Sequence, residues 1–224
     1  MDLLIFDLDG TLIDSAADLA NAVNATRKWM GMAELEHDTV ASYVGNGAPV
    51  LMRRALGPEA SDADVERALK HFLEYYEEHK LDFTRAYDGI PELLAALKRD
   101  DVRMAVLTNK PVRISGRILE GLGLRDYFVR VYGGNSFEQK KPDPIGVQTL
   151  LHELQVDPEY TTLVGDSAVD IRTARNAGIR SIGVTWGLQP ESFDADPPDM
   201  MVDRPEEIMR AVTEERTKRG VRQA

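Results

Sequence analysis

Two aspartates stand where an apolar run ends. Leu3, Leu4, Ile5 and Phe6 form an unbroken oily stretch, and Asp7, Leu8, Asp9, Gly10, Thr11 and Leu12 follow at once. A run of this kind reads as a strand buried on both faces, the usual state in a parallel sheet covered by helices. Open sheets of that type bind ligands at the carboxyl ends of their strands. Residues i and i+2 of extended chain point to the same side, so Asp7 and Asp9 can converge on one small site. Poorly solvated carboxylates there cost several kcal/mol per unpaired charge unless a cation compensates, so the pair implies a metal ion. Gly10 lets the chain turn away with no side chain in the path.

Three more polar clusters occupy comparable places. Thr108-Asn109-Lys110 follows the apolar run Met104 to Leu107, and a hydroxyl plus an amide there can donate to the oxygens of a phosphate. In Lys140-Lys141-Pro142-Asp143-Pro144 the prolines stiffen the chain, so Lys141 is held with less entropy than a lysine on a loose loop. Lys140 reads as its solvated neighbour. Gly165-Asp166-Ser167 closes the run Thr162, Leu163 and Val164, with Asp170 four residues later in the next helix. Acid at the end of a second buried strand supplies the hard oxygen ligands that a divalent cation prefers. Asp170 suits either a supporting role toward Lys141 or plain stabilisation of the first helical turn.

The elements that must position these residues alternate. Ser15 with Asp18 reads as a helix cap and its reciprocal acid, and Ser61 with Asp64 precedes Val65, Leu69, Phe72, Leu73 and Tyr76 on one helical face. Nothing between Ser15 and Tyr87 reads as strand, and a connection of that length needs structure of its own. The expected organisation is an α/β core from 1–14 and 88–224, with a small helical domain over 15–87 inserted after the first strand. Extra helices on a single core would be the alternative. From Pro91 onward, apolar strands and helical patterns alternate to a final helix near Glu206 to Val212, which predicts an open parallel sheet with helices on both faces. The charged tail from Glu214 is expected to fray.

Composition bounds the partners. The 224 residues carry a formal net charge of -11, with 43% hydrophobic and 29% charged residues. That balance belongs to an ordinary globular protein and argues against nucleic acid or an anionic membrane as partner. An anionic substrate would need a locally positive site. No cysteine is present, which excludes disulfides and thiolate chemistry. No apolar stretch approaches the roughly 20 residues of a membrane span, and a cytoplasmic setting is the simplest expectation.

Taken in order, the four clusters resemble the motifs of the haloacid-dehalogenase-like phosphatases, a superfamily with a Rossmann-like core. The resemblance implies that Asp7 attacks phosphorus, that Asp9 serves as acid and then base, and that Thr108 and Asn109 bind the phosphate. Lys141 would bridge nucleophile and phosphate. Mg²⁺ would be held by Asp7, Asp166 and the Asp9 backbone carbonyl, with Asp170 in support. The inserted helices resemble the C1 cap of this superfamily, and Tyr43-Val44-Gly45-Asn46-Gly47 is similar to the substrate loop of its phosphoglycolate phosphatase branch. Gly45, Asn46 and Gly47 would then face a small anion, and Arg53 or Arg54 could meet a substrate carboxylate. The implied partner is a small phosphorylated molecule, bound by a monomer or homodimer. A sugar-phosphate mutase or an inorganic pyrophosphatase would share the same core chemistry. A silent phospho-ligand binder would lack the nucleophile or the metal acid, and neither is missing.

Overall fold

The computed structural model describes residues 1–223, with side chains described through residue 217. At its centre lies β1 (Leu3–Phe6), with β4 (Arg103–Leu107) and β5 (Arg130–Tyr132) on one side. On the other side are β6 (Thr161–Gly165), β7 (Arg180–Val184) and β8 (Met200–Val202). The order is β5-β4-β1-β6-β7-β8 and every pairing is parallel. Side chains alternate across β1: Leu4 and Phe6 enter one hydrophobic cluster, Leu3 and Ile5 the other. A strand with apolar partners on both faces needs the uninterrupted oily run that this one has.

The winding reverses at β1, because the chain builds outward to β5 and then crosses back to β6. Such a switch point opens a crevice at the carboxyl ends. Phe6 is in register with Val106 and Val164, so β1, β4 and β6 deliver Asp7, Thr108 and Asp166 to that crevice together.

Between β1 and β4 the chain leaves and returns through a short antiparallel ribbon, β2 (Ile13–Asp14) against β3 (Arg85–Ala86). The segment between holds α1 (Ala16–Trp29), α2 (His37–Ala41), α3 (Ala48–Leu56) and α4 (Asp62–His79). Helix α1 packs on α2 and α4, and α3 on α4. Helix α4 starts as its cap residues predict, with Ser61 Oγ accepting from the Asp64 N–H. Helix α1 does not. Ser15 makes no cap bond, and the buried Asp18 carboxylate instead accepts from the Phe83 and Thr84 N–H groups and the Thr84 hydroxyl. A buried carboxylate needs donors, and the returning chain offers three, so entry and exit of the helical segment are tied together. One apolar cluster runs from Phe6 through Leu12 and Leu19 to Phe72 and Tyr76.

After β3 come α5 (Ile90–Arg99), α6 (Val112–Gly121), α7 (Ile145–Leu154), α8 (Ala168–Ala177) and α9 (Pro205–Gln223). The last helix runs well past Val212, where fraying was expected from charge. Arg216 donates to the carbonyls of Met1 and Asp100, and Glu215 pairs with the amino terminus at 3.3 Å, so the charged turn is anchored. Among the described residues no helix is long and apolar enough to cross a membrane.

Candidate active site

At the head of β1 the Asp7 Oδ1 accepts from the Leu8 N–H at 2.7 Å and lies 2.9 Å from Lys141 Nζ. Both contacts fall on one oxygen, which leaves Oδ2 available. Burial is the largest influence on this carboxyl and lifts it to about 6, against the pull of Lys141. Lys141 reaches between two acids, since its Nζ is also 2.6 Å from Asp170 Oδ1. Burial works against its charge, yet Asp170 and Asp7 carry its proton affinity above the ordinary lysine value.

Asp7, Asp166 and Asp170 can bring carboxylate oxygens within 4.8 Å of one another, all buried. Asp170 is the least available. Its Oδ1 faces Lys141, and its Oδ2 accepts from the Ser167 N–H and hydroxyl in a capping box that starts α8. Asp166 Oδ2 accepts from Leu188 N–H at 2.8 Å and Oδ1 from the Thr11 hydroxyl at 3.3 Å. Burial first, then the charges of Asp170 and Asp7, hold the Asp166 carboxyl well above the usual range. Three buried acids therefore face one ammonium, and their carboxylate oxygens are the donor set of a hard divalent cation.

Two glycines make room for this. Gly10 sits at φ +79°, and a Cβ there would stand 2.1 Å from Asp166 Oδ2. At Gly187 a Cβ would come within 2.2 Å of Asp166 Cβ and 2.5 Å of the Gly10 carbonyl. Gly187 escaped the sequence reading because it lies in a loop remote from any motif.

Asp9 turns elsewhere. β1 has ended by then, and the Asp9 Oδ1 is held by Lys110 Nζ at 2.7 Å and the Ser15 hydroxyl at 2.5 Å. Asp7 and Asp9 still line one cavity of about 40 Å³ together with Thr108, Asn109 and Lys110. Lys110 is the residue the sequence reading missed. It closes the triplet Thr108-Asn109-Lys110, but only its depth reveals that it is buried, ion-paired and 4.6 Å from the Tyr76 ring centroid. Burial opposes its charge, whereas Asp9 raises its proton affinity beyond the lysine norm. Tyr76, equally buried, is pushed up to about 12.

Asn109 departs from expectation. Its amide N–H₂ donates to the carbonyls of Gly45 at 2.9 Å and Lys141 at 3.0 Å, so these donors join loops. Thr108 Oγ1 accepts from the Lys110 N–H and keeps its own proton to give. Lys140 is no solvated neighbour: its Nζ donates to the Asn46 carbonyl at 2.7 Å. In the loop, Gly45 and Gly47 line the cavity, whereas Asn46 lines a groove on the outer side. Gln189 also grips this loop through the carbonyls of Ser42 and Val44. Arg53 pairs with Asp62 and Arg54 donates to the Tyr43 carbonyl, and neither lines the cavity.

A family model described as haloacid dehalogenase-like hydrolase matches residues 4–184. A phosphoglycolate phosphatase of Vibrio vulnificus (strain YJ016) is 39% identical over 208 residues, covering 90% of this chain and 91% of that one. One from Aquifex aeolicus (strain VF5) is 36% identical over 210 residues, covering 94% and 96%. The crystal structure of a predicted phosphoglycolate phosphatase from Haemophilus somnus 129PT matches with a TM-score of 0.89 at 32% identity, covering 94% of this chain and 97% of that one. Phosphatases of this family generally use a divalent metal, and the buried acids around Asp7 suit one. Matched through its sheet and most of its length, the chain belongs to the haloacid dehalogenase-like hydrolases and is a phosphatase.

Proposed function

We propose that this phosphatase hydrolyses 2-phosphoglycolate through a phosphoryl group carried on Asp7. The observation that carries the reading is the Asp7 carboxylate itself, buried at the switch point, pinned through one oxygen by Lys141 and leaving the other free. That oxygen attacks phosphorus, and the bond from phosphorus to the glycolate oxygen breaks. Asp9 gives its proton to the departing oxygen. It then takes a proton from the water that attacks the aspartyl phosphate, releasing inorganic phosphate and restoring Asp7. Lys141 and the Thr108 hydroxyl stabilise the phosphoryl oxygens.

The carboxylates of Asp7 and Asp166 and the backbone carbonyl of Asp9 would hold Mg²⁺. The ion would add its positive charge to that of Lys141 against the phosphoryl oxygens, in a chain whose net charge is -11. Asp170 and Gly10 support the arrangement, the first by gripping Lys141 and the second by leaving space for Asp166. We read residues 15–87 as a cap over a core of 1–14 and 88–224, with Gly45, Asn46 and Gly47 as its substrate loop. Closed over the acids, the cap excludes bulk water during the covalent stage. A cytoplasmic monomer or homodimer is the setting we assign, the first on composition and the second on the family resemblance.

The substrate rests on relatives that bear the phosphoglycolate phosphatase name at 36–41% identity. Purified enzyme should release phosphate from an aryl phosphate only with Mg²⁺, lose turnover in Asp7→Asn and fall steeply in Asp166→Ala. Turnover retained in Asp7→Asn would sink the mechanism. A panel of phosphoglycolate, hexose phosphates, nucleotides and pyrophosphate tests the substrate, with phosphoglycolate expected to have the highest kcat/KM. Another compound ahead by about tenfold, 1.4 kcal/mol of transition-state binding, would displace that name alone.

A further inference from the structure

We propose that Tyr76 and Lys110 form the subsite for the substrate's second group, and that this subsite selects short phosphomonoesters bearing a carboxylate. The inference rests on the phosphatase reading above and adds to it the residues that choose the substrate. Tyr76 projects from α4 and is 1% exposed, in the wall of the cavity that Asp7 and Asp9 also line. Its hydroxyl is buried within reach of the Lys110 ammonium, and among the described residues no acceptor takes its proton. The ammonium of Lys110, 4.6 Å from the Tyr76 ring centroid, can only donate, so it cannot take the hydroxyl proton. Native proteins seldom bury a donor without an acceptor, and a ligand oxygen would satisfy this one.

Lys110 offers the matching charge. One of its three N–H groups serves Asp9 Oδ1 and a second faces Tyr76, which leaves a third to give. A carboxylate accepting from both would be bonded to α4 and to the loop after β4 at once, which holds the helical segment against the sheet. The two arginines that sequence reading offered for this task lie outside the cavity. Thr108 and Asn109 line the side next to Asp7, and the other side chains of the wall are apolar, among them Leu19, Leu51, Phe72, Leu73 and Ile114. A sugar chain would leave its hydroxyls unpaired against that surface, so a compact anion is favoured over a polyol.

The test compares 2-phosphoglycolate with ethyl phosphate, which has the same two-carbon length and no second acceptor, in metal-loaded wild type and Tyr76→Phe. Wild type should prefer phosphoglycolate, and Tyr76→Phe should cut that preference, as a ratio of kcat/KM values, by about tenfold or more. Its Tm should hold or rise, because an orphaned donor has been removed. An unchanged ratio in Tyr76→Phe overturns the proposal. So does a wild type that treats the two esters alike, or a variant in which both activities and Tm fall together, the mark of a purely structural hydroxyl. Absence of phosphate release from every ester would strike the phosphatase mechanism first, which keeps the two failures apart.

Discussion

Lys141 carries a burden that no surface lysine does, because among the described residues it alone pairs with both Asp7 and Asp170, and it does so buried. One ammonium against two acids leaves Asp7 short of compensation, and burial wins: the carboxyl rises from 3.8 to about 6. Between those values the folded chain binds more protons than the unfolded one, so stability declines as pH climbs through that window and stays lowered above it. The cost at neutral pH is on the order of 3 kcal/mol. Asp7→Asn removes the charge. In metal-free protein this variant should be more stable than wild type near pH 8 and lose its advantage near pH 4, measured by urea denaturation in a chelator. An advantage equal at both pH values would mean that Asp7 does not hold its proton more tightly when folded.

The loop from Ser42 to Gly47 is held by an element-scale clasp. Three core side chains bond its carbonyls: Asn109 to Gly45, Lys140 to Asn46, and Gln189 to Ser42 and Val44. At Gly47, φ +85°, a Cβ would press within 3.1 Å of both the Asn109 carbonyl and Lys140 Nζ, so only glycine lets the loop sit so close. Lys140→Met with Gln189→Ala deletes three of these hydrogen bonds, each worth about 1 kcal/mol. Opening of the loop should then be favoured by roughly 100-fold. Amide exchange at residues 42–47 should accelerate by up to that factor while β1 and β6 stay protected, and kcat/KM should drop. Exchange that stays at the wild-type rate would show that Asn109 and the apolar contacts beneath the loop suffice. The clasp was not legible beforehand: Lys140 reads as the solvated neighbour of Lys141, Asn109 as a phosphate ligand, and a glutamine in a loop carries no period or motif.

Across the molecule, what could be read in advance were features that repeat or concentrate. The apolar runs of β1, β4 and β6 announced buried strands, and acids at the ends of β1 and β6 announced a site. Strand order was not announced, yet it is what sets Asp166 beside Asp7 across more than 150 residues of chain. Two-residue strands such as β2 and β3 are too short to show a period, and burial of Lys110 or Asp18 depends on neighbours that only the fold supplies. The acidic cluster has a consequence at this same scale. Asp7 and Asp166 come from β1 and from the turn after β6, so a cation bound by both in the native state and by neither in the unfolded chain stabilises the whole sheet. At a hundred times its dissociation constant the gain is about 2.7 kcal/mol. For a chain of this length, that raises Tm by roughly 5–10 °C. Adding Mg²⁺ to chelator-treated enzyme should produce such a rise, saturating with concentration, whereas sodium chloride of equal ionic strength should not. Asp166→Asn should lose most of the rise while folding normally. A wild-type Tm indifferent to Mg²⁺ at concentrations that support turnover would mean that the acids do not close on the ion together, and the site would have to be assembled by substrate instead.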